Sequence, residues 1–129
     1  MYLFDTSAII DWLYDTRLGD RIDGPISVSV LSLVELLPTA REKDSDALNA
    51  INRFFSQIKI LPLDEMIARE AASLKYNLRR LGQEKPIIDL LISATAKLNN
   101  LKLVTLDNDF QIISDTGKFD LLLLDNNQK

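Results

Sequence analysis

Pro86-Ile87-Ile88-Asp89-Leu90-Leu91-Ile92-Ser93-Ala94-Thr95-Ala96-Lys97-Leu98, then Asn99-Asn100, then Leu101-Lys102-Leu103-Val104-Thr105, is the stretch that decides the fold class. Pro86 suits the opening of a helix, where its missing N–H costs nothing. The paired asparagines after Leu98 are a stop signal. Lys102–Thr105 then reads as a strand with a mostly continuous apolar run, the pattern of a parallel strand covered on both faces. A helix feeding such a strand is the repeating unit of a parallel α/β sheet.

The alternation extends outward from there. Tyr2–Phe4, Ile26–Val30, Ile58–Leu61 and Phe119–Leu124 are further expected strands. Ser7–Tyr14 is a candidate helix, and Ala47, Leu48, Ile51, Phe54, Phe55 and Ile58 recur at helical spacing. The best-marked helix runs from Asp64 to Leu81, with Asp64 as cap, Glu65 in its first turn, Arg79 and Arg80 in its last, and Gly82 beyond. Its expected inward stripe is Ile67, Ala71, Leu74, Leu78 and Leu81. The expectation is an α/β three-layer sandwich with a mostly parallel central sheet of about five strands. Residues 1–129 form one domain in this reading.

Composition narrows the chemistry by what is missing. The 129 residues include no Cys and no His, which excludes disulfides, thiolate zinc sites, imidazole bases and Ser–His triads. Catalysis must rest on carboxylates, Lys, Tyr, hydroxyls or a bound ion, and hard divalent cations on oxygen ligands fit best. No run approaches the roughly 18–20 apolar residues of a membrane span, and Met1-Tyr2-Leu3-Phe4-Asp5 lacks the basic start of a signal peptide, so a cytoplasmic location is expected. The net charge of −4, taken alone, argues against nucleic acid. Yet of the 19 acidic residues five are Asp5, Glu35, Asp89, Asp107 and Asp109, and the other fourteen nearly balance 15 basic ones.

Those five acids are the signal. Asp5 follows the first strand, Glu35 lies about a turn beyond the second, and Asp107 and Asp109 follow the fourth. Asp89 sits in the first turn of the Pro86 helix among Ile87, Ile88, Leu90, Leu91 and Ile92. Sites in open parallel sheets form at the carboxyl ends of the strands, and acids gathered there repel one another unless a cation joins them. Each also has a plainer role. Asp5 can cap the following helix. Ser32-Leu33-Val34-Glu35 matches a capping box, for Glu35 alone the stronger reading. Asp107 can cap a short helix through Ile113. A charge in so apolar a setting as Asp89's is harder to explain without a partner.

In order and context these residues resemble the PIN-domain nucleases, especially the VapC-type toxins of toxin–antitoxin pairs. The likeness rests on Tyr2-Leu3-Phe4-Asp5-Thr6-Ser7, Val30-Leu31-Ser32-Leu33-Val34-Glu35-Leu36, Ile88-Asp89-Leu90-Leu91-Ile92-Ser93-Ala94-Thr95-Ala96 and Leu103-Val104-Thr105-Leu106-Asp107-Asn108-Asp109-Phe110. It implies that Asp5, Glu35, Asp89 and Asp107 form a catalytic, metal-holding quartet, that Asp109 is a less constant fifth acid, and that Ser7 and Thr105 support them. It further implies an endoribonuclease acting on tRNA or mRNA with Mg²⁺ (Mn²⁺ as substitute), a homodimer, and a cognate antitoxin. The chain departs from the family at Pro38, expected to bend or end the helix that carries Glu35. Two other readings stand beside this one: a catalytically idle PIN-fold binding module, and a haloacid-dehalogenase-like phosphatase. The phosphatase would want an acid where Ser7 stands.

Basic residues offer a phosphate-steering strip at Arg69, Lys75, Arg79, Arg80 and Lys85, or equally a solvated helix face, the stronger reading. Arg41 and Lys43 are expected in a loop after Pro38. Tyr2, Trp12, Tyr14 and Tyr76 are candidates for base stacking, though scattered aromatics more often pack. Leu121–Leu124 fits a sheet edge or a dimer face.

Overall fold

All five expected strands form, and all run parallel: β1 (Tyr2–Phe4), β2 (Ile26–Ser29), β3 (Lys59–Leu61), β4 (Lys102–Thr105) and β5 (Leu121–Leu123). Their spatial order in this computed structural model, which describes residues 1–15 and 17–124, is β3-β2-β1-β4-β5. The helices are α1 (Thr6–Ile10), α2 (Val30–Lys43), α3 (Ser45–Ser56), α4 (Glu65–Arg80), α5 (Ile87–Leu98) and α6 (Asp109–Gly117). The expected helix Ser7–Tyr14 is α1 running on into a π-helical turn, Asp11–Asp15, with a 3₁₀ turn at Gly19–Arg21 after it.

Because successive strand residues face opposite ways, the sheet is covered twice. Tyr2, Phe4, Val28 and Val104 pack with Ala8, Ile9, Leu36, Ile51, Phe54 and Phe55 under α1–α3. Leu3, Leu61 and Leu103 pack with Ile67, Leu74, Leu90, Phe110 and Ile113 under α4–α6. Each large side chain so buried contributes roughly 1.5–3 kcal/mol, and the two cores make the three-layer sandwich. Among the described residues no helix is long and apolar enough to cross a membrane.

Five local expectations are corrected. β2 ends at Ser29, not Val30, because Ser29 caps α2: its Oγ accepts from Leu31 N at 3.1 Å. Ser32 is therefore inside the helix and fully buried, and no capping box ties it to Glu35. Pro38 does not end the helix, which runs five residues further to Lys43. It lies on the exposed face with Val34 and Glu35, so the Val34 carbonyl that loses a partner is on the solvent side. Arg41 and Lys43 consequently occupy the last turn of α2 rather than a loop. Leu81 is 59% exposed, because α4 closes at Arg80 and Gly82, at φ +73°, turns the chain away.

Gly117, the last residue of α6, has a packing reason. A Cβ there would lie 2.6 Å from Leu74 Cδ2 and within 3.3 Å of the Phe119 ring. Leu74 is 1% exposed and has nowhere to go. Gly117→Ala is expected to destabilise the fold by about 1–3 kcal/mol; an unchanged urea midpoint would refute this.

Candidate active site

From β1 the chain steps to β2 and β3 on one side, then returns to place β4 on the other side of β1. The carboxyl edge between β1 and β4 is thus the switch point of the sheet, where such folds open a crevice. Asp5 leaves β1 there, and Thr105 ends β4. The register pairs Phe4 with Val104, and Asp5 N donates to Val104 O at 3.0 Å.

Asp5 is 5% exposed, and both its carboxylate oxygens are held. Oδ1 accepts from Ser7 Oγ at 2.7 Å and from Ala8 N at 2.9 Å; Oδ2 accepts from Thr105 Oγ1 at 2.6 Å. The two hydroxyls are themselves fixed by the β4–α6 loop. Leu106 N donates to Ser7 Oγ and Asp107 N to Thr105 Oγ1, each at 3.0 Å. Each hydroxyl takes a backbone proton and gives its own to Asp5, so one carboxylate locks the ends of two strands. Asp5 does cap α1, and this coexists with its place at the switch point. Burial pushes its pKa up to about 6; the bonds from Thr105, Ser7 and Ala8 lower it, and the Asp107 charge raises it further.

Asp89, in the first turn of α5, is half-buried, and its carboxyl is also pushed up to about 6. Burial is the main cause, followed by the charges of Asp107, Asp5, Glu35 and Asp109. All five acids therefore share one electrostatic field. Glu35 is exposed on α2 and accepts a hydrogen bond from Thr6 Oγ1. Asp107 is also exposed, and its Oδ1 accepts from Asp109 N at 2.9 Å in the turn that leads into α6, whose N-cap position is Asn108 rather than the expected Asp107. Asp109 differs, because Lys85 Nζ lies 3.3 Å from its Oδ1.

Thr6 belongs to the site although no motif in the sequence points to it. It stands beside Asp5, and its neighbour Ser32 Oγ is 3.5 Å away. Ser93, one turn beyond Asp89 on α5, is fully buried, and its hydroxyl has no partner among the described residues. Of the basic strip, Arg69 pairs with Glu65 and Arg79 with Glu84, while Arg80 lies over Tyr76. That is a solvated helix face, and of the strip Lys85 is paired with an acid of the site. Trp12 packs edge-on against Phe4, and Tyr2 is in the core with its hydroxyl on Asp23. Tyr14 and Tyr76 are exposed. β5 is an edge strand, half-buried along its length.

The donors on offer are hard oxygens, which suit Mg²⁺ or Mn²⁺. Among the described residues no three acids close into a ready-made ligand cluster. The fit is to an ion that keeps several of its own waters, as magnesium does, rather than to an all-protein cage.

Comparison with known proteins agrees with this fold. The sequence profile of the PIN domain matches residues 2–115. Over 100 residues the chain is 33% identical to Ribonuclease VapC10 of Mycobacterium tuberculosis, covering 78% of this chain and 70% of that protein. The crystal structure of VapBC2 from Rickettsia felis bound to a promoter DNA fragment matches with a TM-score of 0.79 at 18% identity, over 96% of this chain and 98% of that one. VapBC-5 from Mycobacterium tuberculosis, a toxin–antitoxin system, gives 0.76 at 24% identity, over 95% and 98%. At such identities the two structural likenesses speak for the fold alone.

Proposed function

The chain belongs to the PIN-domain family, and from that premise we propose that it is a Mg²⁺-dependent endoribonuclease, the toxin of a VapBC-type pair. In this reading it works in the cytoplasm as a homodimer restrained by a cognate antitoxin. The observation that carries the proposal is Asp5 at the switch point, buried, with both oxygens pinned and the Asp107 charge acting on it, while Asp89 feels the charges of Asp107, Asp5, Glu35 and Asp109. The phosphatase alternative falls with family membership, and Ser7 there serves Asp5 as a donor.

Asp5, Glu35, Asp89 and Asp107 are the proposed holders of the ion. Asp109 is the weaker candidate because Lys85 engages it. An ion held there supplies Lewis acidity that lowers the pKa of the attacking water and offsets charge on the phosphoryl oxygens. The protein's own part is orientation. Ser7 and Thr105 keep Asp5 from rotating, Thr6 steers Glu35 toward α1, and the Asp107 backbone is tied to Thr105. Outer-sphere partners of this kind are typically worth 10- to 100-fold in affinity or activity.

Incubation of the purified chain with tRNA and with mRNA tests the proposal. Cleavage is expected with Mg²⁺ or Mn²⁺, and its loss in EDTA. Full cleavage in EDTA would sink the mechanism.

A further inference from the structure

Asp11 is 1% exposed and does not belong to the acid group. It opens the π-helical turn, a distortion that recurs at functional sites. A buried carboxylate is costly unless paired. Here Oδ2 accepts from Leu18 N at 3.0 Å, and Oδ1 from Arg17 Nε at 3.1 Å. The bond fixes Arg17 by its Nε edge, while the guanidinium still has four terminal N–H donors beyond it. The Arg17 side chain is 30% exposed and forms part of the wall of a 460 Å³ cavity. Ser7, Asp15, Asp107 and Asn108 share that wall. Among the described lining residues Arg17 is the one cation, and without it Asp107 would repel a polyanion.

We propose that Arg17, set by Asp11, is a positioning residue that grips a backbone phosphate of the RNA next to the scissile one, in the cavity between the π-turn and Asp107. The proposal rests on the nuclease reading for its substrate. A planar fork anchored on one edge suits a phosphate on the other. The competing role is a purely structural clasp over the segment that joins α1 to β2.

The test measures binding of a single-stranded RNA oligonucleotide in EDTA, where cleavage is not needed, and then steady-state cleavage in Mg²⁺. Arg17→Gln is expected to raise Kd about tenfold and to flatten the slope of log K against log salt by about 0.7, the loss of one phosphate contact on a single strand. In cleavage KM rises similarly while kcat stays within about twofold. Arg17→Lys keeps the charge but not the fork, so a lysine paired with Asp11 does not also hold the phosphate; Kd and slope are expected to change as in Arg17→Gln, which also decides the matter if Arg17→Gln does not fold. An unchanged Kd and slope in Arg17→Gln, with only a lowered Tm, would overturn the proposal in favour of the clasp, as would an unchanged Kd and slope in a folded Arg17→Lys. Wild-type binding without cleavage would remove the nuclease reading and leave Arg17 as an RNA contact. A wild-type chain that binds no RNA overturns both.

Discussion

Asp5→Asn is expected to lower RNA cleavage by about 10³-fold or more while the chain stays folded. The substitution keeps the shape of the side chain and removes its charge. Ser7 Oγ and Ala8 N still find an acceptor at Oδ1, so the cap of α1 and the strand-end lock survive in outline. At the other oxygen, an amide would face the Thr105 hydroxyl, which must then accept rather than donate. What is lost is the fixed negative charge at the switch point, and several kcal/mol of transition-state stabilisation correspond to about three decades in rate. Stability behaves differently. The wild type must ionise a buried carboxyl whose pKa is about 6, and the asparagine need not. The variant is therefore expected to unfold in EDTA near neutral pH no earlier than the wild type. Cleavage within tenfold of wild type would remove Asp5 from the machinery; loss of activity with loss of fold would reduce it to a structural cap.

The architecture was legible because it depends on features that sequence displays directly. Runs such as Lys102–Thr105, the Asp64 and Gly82 boundaries of α4, and the stripe Ile67, Ala71, Leu74, Leu78 each state a local preference that the packing then honours. The candidate site was legible for a second reason: carboxylates at the ends of parallel strands converge whatever the loops between them do. What escaped were choices between equally good local options. Ser29 and Ser32 both suit an N-cap, and the full burial of Ser32 inside α2 is a tertiary fact. Pro38 ends an isolated helix, but not one whose freed carbonyl is on the solvent side. Thr6 touching Glu35 and Arg17 touching Asp11 arise from a π-turn and from the approach of α1 to α2. No spacing rule announces either contact.

Metal-free protein is expected to lose stability as pH rises, and Mg²⁺ to cancel that loss. Asp5 and Asp89 have folded-state pKa values of about 6 against an ordinary 3.8. Between those values the folded chain keeps protons that the unfolded chain has released, so the stabilisation present below the lower value disappears as pH climbs through the higher one. For Asp5 the difference is worth about 2–3 kcal/mol. Asp89 is half-exposed and screened, and adds at most about 1 kcal/mol. In a chain of this size the sum corresponds to roughly 10 °C in Tm between about pH 4 and pH 7. The window is clean because the chain has no His and no Cys to titrate in its upper half. An ion that binds the ionised carboxylates stabilises the fold by mass action, and it does so only after those protons have left. The gap between melting curves in saturating Mg²⁺ and in EDTA should therefore be near zero at about pH 4.5 and widest above about pH 7. In Asp5→Asn the EDTA curve should be nearly flat over the same range, and the Mg²⁺ gap should shrink. An EDTA curve that rises with pH would mean that Asp5 is not a buried acid awaiting a cation. A Mg²⁺ gap independent of pH would mean that the ion binds elsewhere.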